Sequence, residues 1–193
     1  LSRIWRGKLL LFGRIMFGVA GVLLILSIFY PWWGMTLVAP QYPEGLRLLV
    51  YPTKLGNIAD MEILNTLNHY IGMKEVHAKD FAELKVIPFA LIILALLSLI
   101  VTFTGKIKYG VIAAGLICIA GVIGLFDIYH WLYDFGMNLD PKAPIDYKPF
   151  IPPMVGENQI ANFHTSMGFK LGAYGLGASF FLMVIAIWRF KDE

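Results

Sequence analysis

Four apolar runs, each long enough to cross a bilayer, dictate what this chain can become. A helix needs about 20 apolar residues to span a hydrocarbon core. Inside that core the backbone has no water to bond and must satisfy its polar groups within the segment. Such runs occupy residues 12–33, 86–103, 109–132 and 168–188. With 58% of its 193 residues hydrophobic and 15% charged, the chain is not composed like a soluble globular domain. The first run continues into Tyr30-Pro31-Trp32-Trp33 instead of a small-residue cleavage site, so it reads as a retained span, not a signal peptide. The single cysteine, Cys118, lies inside an apolar run, which excludes an intrachain disulfide and a multi-thiolate metal centre.

Charge placement orients the spans. Arg3, Arg6, Lys8 and Arg14 flank the first run, Lys106 and Lys108 fill the tight turn between the second and third, and Arg189 and Lys191 follow the last. Against these stand only Asp192 and Glu193, and short basic segments stay cytoplasmic. Both termini are therefore expected on the cytoplasmic side of a bacterial inner membrane. Two long loops, 34–85 and 133–167, then face outward, with Trp32, Trp33, Trp131 and Tyr133 at the outer interface.

The outer loops are where function is expected. In the first, Met35–Val38 and Leu46–Tyr51 flank the turn-rich Ala39-Pro40-Gln41-Tyr42-Pro43-Glu44-Gly45, a pattern that predicts a β-hairpin. Met61, Leu64, Leu67 and Ile71 then recur at helical spacing, with Asn57 or Asp60 as cap and Gly72 as stop. On that helix His69 and Met73 are expected one turn apart on one face. The second outer loop holds Pro141, Pro144, Pro149, Pro152 and Pro153, and is expected to be extended and packed on the first loop or a partner. Gly and Ala stripes in the third and fourth runs predict close helix packing. The expected fold is an all-α membrane protein, one integral domain over residues 1–193. Four transmembrane helices would carry a small mixed cap of a short β-hairpin plus one short amphipathic helix.

Imidazoles and thioethers gather on the outer side: His69, His77, His130 and His164 with Met35, Met61, Met73, Met137, Met154 and Met167. That ligand chemistry favours copper, and His164/Met167 at i, i+3 is a second candidate pair. The same residue types also serve as interface filler. Asp127, His130 and Asp134 are expected on one helical face, with Asp127 about two turns below the aqueous boundary. A carboxylate at that depth either fixes helix packing or serves a site. There is no glycine-rich phosphate loop, no nucleophile elbow and no His-Glu-Xaa-Xaa-His pair. The acidic outer side gives nucleic acid no footing.

The outer-loop motifs form an ordered set. Ala39-Pro40-Gln41-Tyr42-Pro43-Glu44-Gly45-Leu46 is followed by Leu67-Asn68-His69-Tyr70-Ile71-Gly72-Met73-Lys74 and Glu83-Leu84-Lys85. Tyr133-Asp134-Phe135-Gly136-Met137-Asn138-Leu139-Asp140-Pro141 and Ala143-Pro144-Ile145 complete it. The set resembles a family of small bacterial membrane proteins encoded beside nitrous-oxide reductase and its copper-maturation factors. The resemblance implies an accessory role in copper handling, with His69 functional and Asp127 and Asp134 in support. Met137 stands where the family pattern has histidine: either the site is one for reduced copper, which tolerates the exchange as zinc does not, or position 137 is not a ligand. The reading is a non-catalytic accessory protein with His69, Met73 and Met137 as copper ligands and Asp127, His130 and Asp134 as supporting polar groups. Its expected partners are membrane lipid and a protein of the outer face. A scaffold subunit of a larger respiratory complex is the alternative, and a quinol-linked electron-transfer subunit the second alternative.

Overall fold

The computed structural model describes residues 7–160 and 162–190. Arg3, Arg6, Lys191, Asp192 and Glu193, counted in the charge argument, lie outside the described residues. In chain order the elements are α1 (Leu11–Ser27), β1 (Trp33–Ala39), β2 (Tyr42–Val50), β3 (Leu55–Gly56) and α2 (Ile58–Ile71). A 3-10 turn at Ala78–Asp80 leads to α3 (Glu83–Thr104), α4 (Ile107–Met137), β4 (Gly156–Ile160), β5 (Phe163–Phe169) and α5 (Leu171–Arg189).

Three of these helices, α3, α4 and α5, are long and apolar enough to cross a membrane. The expected first span is shorter than its apolar run: α1 has 17 residues and stops at Ser27. Pro31 cannot continue the ladder and biases its predecessor away from helix. Beyond it Trp32 N–H donates to the Val50 carbonyl (2.8 Å), and Trp33 opens β1. The fourth run also starts late, because Gly168 and Phe169 belong to β5. α3 begins at Glu83, so Pro88 lies in its second turn. α4 is the longest element at 31 residues, about 46 Å at helical rise. That exceeds a hydrocarbon core of about 30 Å, so its outer turns stand clear of one.

The described ends of the chain meet at one pole. Leu9 N–H donates to the Gly105 carbonyl and Leu10 N–H to that of Phe190, each at 2.7 Å. Arg14 Nε and Nη2 donate to the carbonyls of Thr102 and Phe103, both at 2.8 Å, which satisfies the exposed C-terminal end of α3. α1 is the central post. Ser98 Oγ of α3 donates to the Phe17 carbonyl (2.6 Å) and Ser179 Oγ of α5 to that of Ala20 (3.1 Å). Gly21 lets the Ala95 carbonyl of α3 approach, and Gly110 of α4 lies under the Phe17 ring.

The opposite pole carries one antiparallel sheet of order β3-β2-β1-β5-β4. The expected hairpin is β1–β2; between Leu37↔Leu46 and Ala39↔Tyr42 its register shifts by two residues on β2, where Gly45 takes φ +78°. The expectation of an otherwise extended second loop is corrected, since its end forms β4 and β5, and β5 pairs with β1 from Trp33↔Phe169 to Val38↔His164. The chain is mostly helical as expected, but its cap carries a five-stranded sheet in place of a lone hairpin. The prolines stop at Pro153, and from Phe163 onward the residues alternate: Thr165 and Met167 are buried, His164 and Ser166 exposed. Leu64 of α2 packs with Leu37, Leu46 and Leu48 under the sheet.

Candidate functional site

The stretch around His69 is chiefly a fastening. Asn65 grips Val76 through both amide atoms (2.7 and 3.1 Å), and Asn68 Nδ2 donates to the Lys74 carbonyl (3.3 Å). Gly72 ends α2 with φ +79°. Gly72 N–H bonds the His69 carbonyl and Met73 N–H that of Asn68, a Schellman closure. The helix start is not capped by a side chain, for Asn57 is itself left-handed and Asp60 accepts from Arg47 N–H (2.9 Å) instead. The second loop docks on this closure: Asp140 N–H donates to Gly72 (2.8 Å) and Ile145 N–H to Tyr70 (2.9 Å). A side chain at Gly72 would strike the Asp140 backbone, and one at Gly136 the Phe150 carbonyl.

The six proposed site residues fall in different settings. His69 is exposed on the last turn of α2. Met73 lies beyond the end of α2, so the expected one-turn pairing on a shared helix does not form; it lines a cavity instead. Met137 closes α4, half-buried. His164 and Met167 sit on a strand, one exposed and one buried, because an odd separation places strand residues on opposite faces. Asp134 holds Lys74 Nζ through both oxygens (2.7 and 2.9 Å) and accepts from Asn138. His130 is exposed, while Asp127 lines the cavity. His77 Nε2 meets Glu75 (2.8 Å). Among the described residues no group of three or more His, Cys, Asp or Glu side chains is arranged to hold a metal ion. Thioethers are a separate class of ligand from these.

The cavity, about 540 Å³, lies between α3, α4, α5 and the inner face of the sheet. Leu37, Leu48 and Met167 line it from the sheet, Trp33 and Trp131 from the outer interface level, and Cys118, Gly121 and Phe180 from the helices. Its two charged lining groups are Asp127 and Glu83, whose carboxyls lie within hydrogen-bonding reach of each other. Trp131 Nε1 donates to Glu83 Oε1 (2.8 Å) and the indole packs against Phe81 and Phe135. Glu83 was not singled out as a site residue from sequence. Its signal was an acid in the first turn of an apolar helix, where the helix dipole favours negative charge.

The small-residue stripes divide here. Gly175 faces Ser27 and Leu23 of α1, as close packing requires, but Gly121, Gly124 and Gly177 have nothing within 4 Å of where a Cβ would stand. All three line the cavity. They leave room between α4 and α5, where the expected function was to close it. Val122, Leu125 and Tyr174 border that gap and are exposed. Comparison with family models, characterised proteins and solved structures gives no match, so the site is read from its own chemistry.

Proposed function

We propose that this chain is a non-catalytic accessory protein of the bacterial cytoplasmic membrane, crossing it four times with both termini inside. Its cap, on the outer face, presents a fixed surface to a protein of copper handling or to a copper-dependent respiratory enzyme under assembly. The observation that carries this reading is the stitching of the cap: two loops far apart in sequence share one sheet and the Gly72–Asp140 closure. Rigid display of loop residues is what a docking surface needs, because a surface already ordered loses less entropy on binding. α1, though 17 residues long, reaches the lower limit for a span and is flanked by α3 and α5. Arg14, Lys106, Lys108 and Arg189 lie at or near the pole opposite the sheet, as a cytoplasmic end requires.

Copper enters this reading through the ligand chemistry of His69, Met73 and Met137. Competition of the purified protein with a Cu(I) chelator tests it: His69→Ala with Met137→Ala is expected to weaken Cu(I) binding, and unchanged affinity removes the ligand assignment. Topology is tested separately in cells with Cys118→Ala as background. A single cysteine at Lys142 is expected to react with a membrane-impermeant maleimide, and one at Lys106 to be protected. The reverse pattern overturns the orientation. Native migration after mild extraction addresses the scaffold alternative, which requires a partner-bound species.

A further inference from the structure

Two carboxyls from different helices meet in the cavity wall at the level of Trp131. Glu83 opens α3, Asp127 belongs to α4, and their oxygens lie within hydrogen-bonding reach of each other. An ionised carboxylate only accepts hydrogen bonds, so a bond between the two requires a proton on one of them. Their surroundings decide which one. Glu83 stands at the N-terminus of α3, where the helix dipole favours negative charge, and Trp131 Nε1 donates to its Oε1 (2.8 Å). Asp127 has neither support. Among the described residues no lysine, arginine or histidine lines the cavity, and its other titratable lining groups are Tyr51, Cys118 and Tyr174. His130, on α4 near Asp127, is exposed, so solvent screens it, and Lys74 is held by Asp134.

We propose that Asp127 carries a proton and donates it to Glu83, making the pair one proton-binding site that latches the outer ends of α3 and α4. Loss of that proton replaces a bond between the helices by repulsion of two carboxylates across the same gap. At their other ends the two helices are joined through the short turn at Gly105, so the outer ends are the ones free to part. A metal cation in place of the proton would need further oxygen ligands. The polar side chains nearest to hand are engaged elsewhere: Asn68 Nδ2 donates to the Lys74 carbonyl and Thr165 Oγ1 to that of Asn158. The indole N–H on Glu83 would also point its positive end at such an ion. A proton needs only the two oxygens already in place.

Infrared spectra of the full chain in nanodiscs, titrated with pH, test this through the C=O stretch of a protonated carboxyl, which carboxylates lack. One protonated carboxyl per chain is expected near pH 7, where separate Asp and Glu side chains are ionised. Asp127→Asn is expected to remove the band. Glu83→Gln keeps a polar partner but takes away its charge, and is expected to weaken proton binding at least about tenfold. Unfolding across pH gives a second readout. The folded chain holds a proton that the unfolded chain lacks, so rising pH lowers the stability of wild type relative to Asp127→Asn. The fall is expected to reach about tenfold in the folding equilibrium per pH unit, above the usual carboxylate range and until the shared proton is lost. No band near pH 7, a band that survives Asp127→Asn, unchanged proton affinity in Glu83→Gln, or parallel stability profiles for wild type and Asp127→Asn would each overturn the proposal.

Discussion

Replacing Gly72 by alanine tests whether the two outer loops form one unit. The residue holds φ +79°, which costs an L-amino acid roughly 1–2 kcal/mol. The added methyl would also stand 2.8 and 2.9 Å from the Asp140 carbonyl oxygen and nitrogen and 3.1 Å from Ala143 Cβ. Those first two neighbours are backbone, so no rotamer change relieves them. Retreat of the loop breaks the Asp140 N–H to Gly72 bond, at about 1 kcal/mol. The expected local destabilisation is therefore about 2–4 kcal/mol, or roughly a hundredfold loss of hydrogen-exchange protection at the Asp140 and Ile145 amides. Exchange measured by mass spectrometry on detergent-solubilised protein reads this directly. Gly72→Asn separates the two causes, because asparagine tolerates the left-handed region and still meets Asp140. Wild-type protection in Gly72→Asn would refute the claim that close approach of the second loop fixes this glycine.

Gly136→Ala is expected to be more disruptive than Gly72→Ala, because its methyl would fall on the Phe150 carbonyl that follows the 3.0 Å Phe150 N–H to Gly136 bond; unfolding midpoints in detergent check the order. Ser98→Ala removes the 2.6 Å bond to Phe17 between α3 and α1 and is expected to cost about 0.6–2 kcal/mol, read by equilibrium unfolding. Lys74→Met is expected to cost at most about 1 kcal/mol, with the difference fading at high salt, because the Lys74–Asp134 pair is exposed. A larger, salt-insensitive loss would mean that this pair carries the cap.

The elements legible in the sequence are those with an unbroken period. The runs of α3, α4 and α5 declare themselves by length, and Met35–Val38 and Leu46–Tyr51 do so by the turn residues between them. β5 stays hidden because Gly168 and Phe169, separated from α5 by Lys170 alone, extend its apolar run, and a short apolar strand is indistinguishable there from the start of a span. His69 and Met73 fit a helical pair only while the stop at Gly72 is ignored. Glycine in the left-handed region turns the chain before Met73, so the signal that ends the helix is also the one that parts the pair. Asp127 was legible because a lone carboxylate in an apolar run is conspicuous. Its partner Glu83 was not, since an acid in a first helical turn is ordinary.

The cavity follows from how α4 is held at its two ends. At one end the turn at Gly105 ties it to α3, with Gly110 set against Phe17 of α1. At the other, Gly136 is fixed to Phe150 and Asp134 to Lys74, both in the cap. A helix held at both ends can close on its neighbour in between only if side chains there reach across. Gly121 and Gly124 on α4 and Gly177 on α5 supply none. Long side chains at these three positions would fill the space and still be good helix formers. Two clamps with an unfilled interval between them make the opening a property of the fold itself, and Asp127 lies one turn above Gly124, between that interval and the cap.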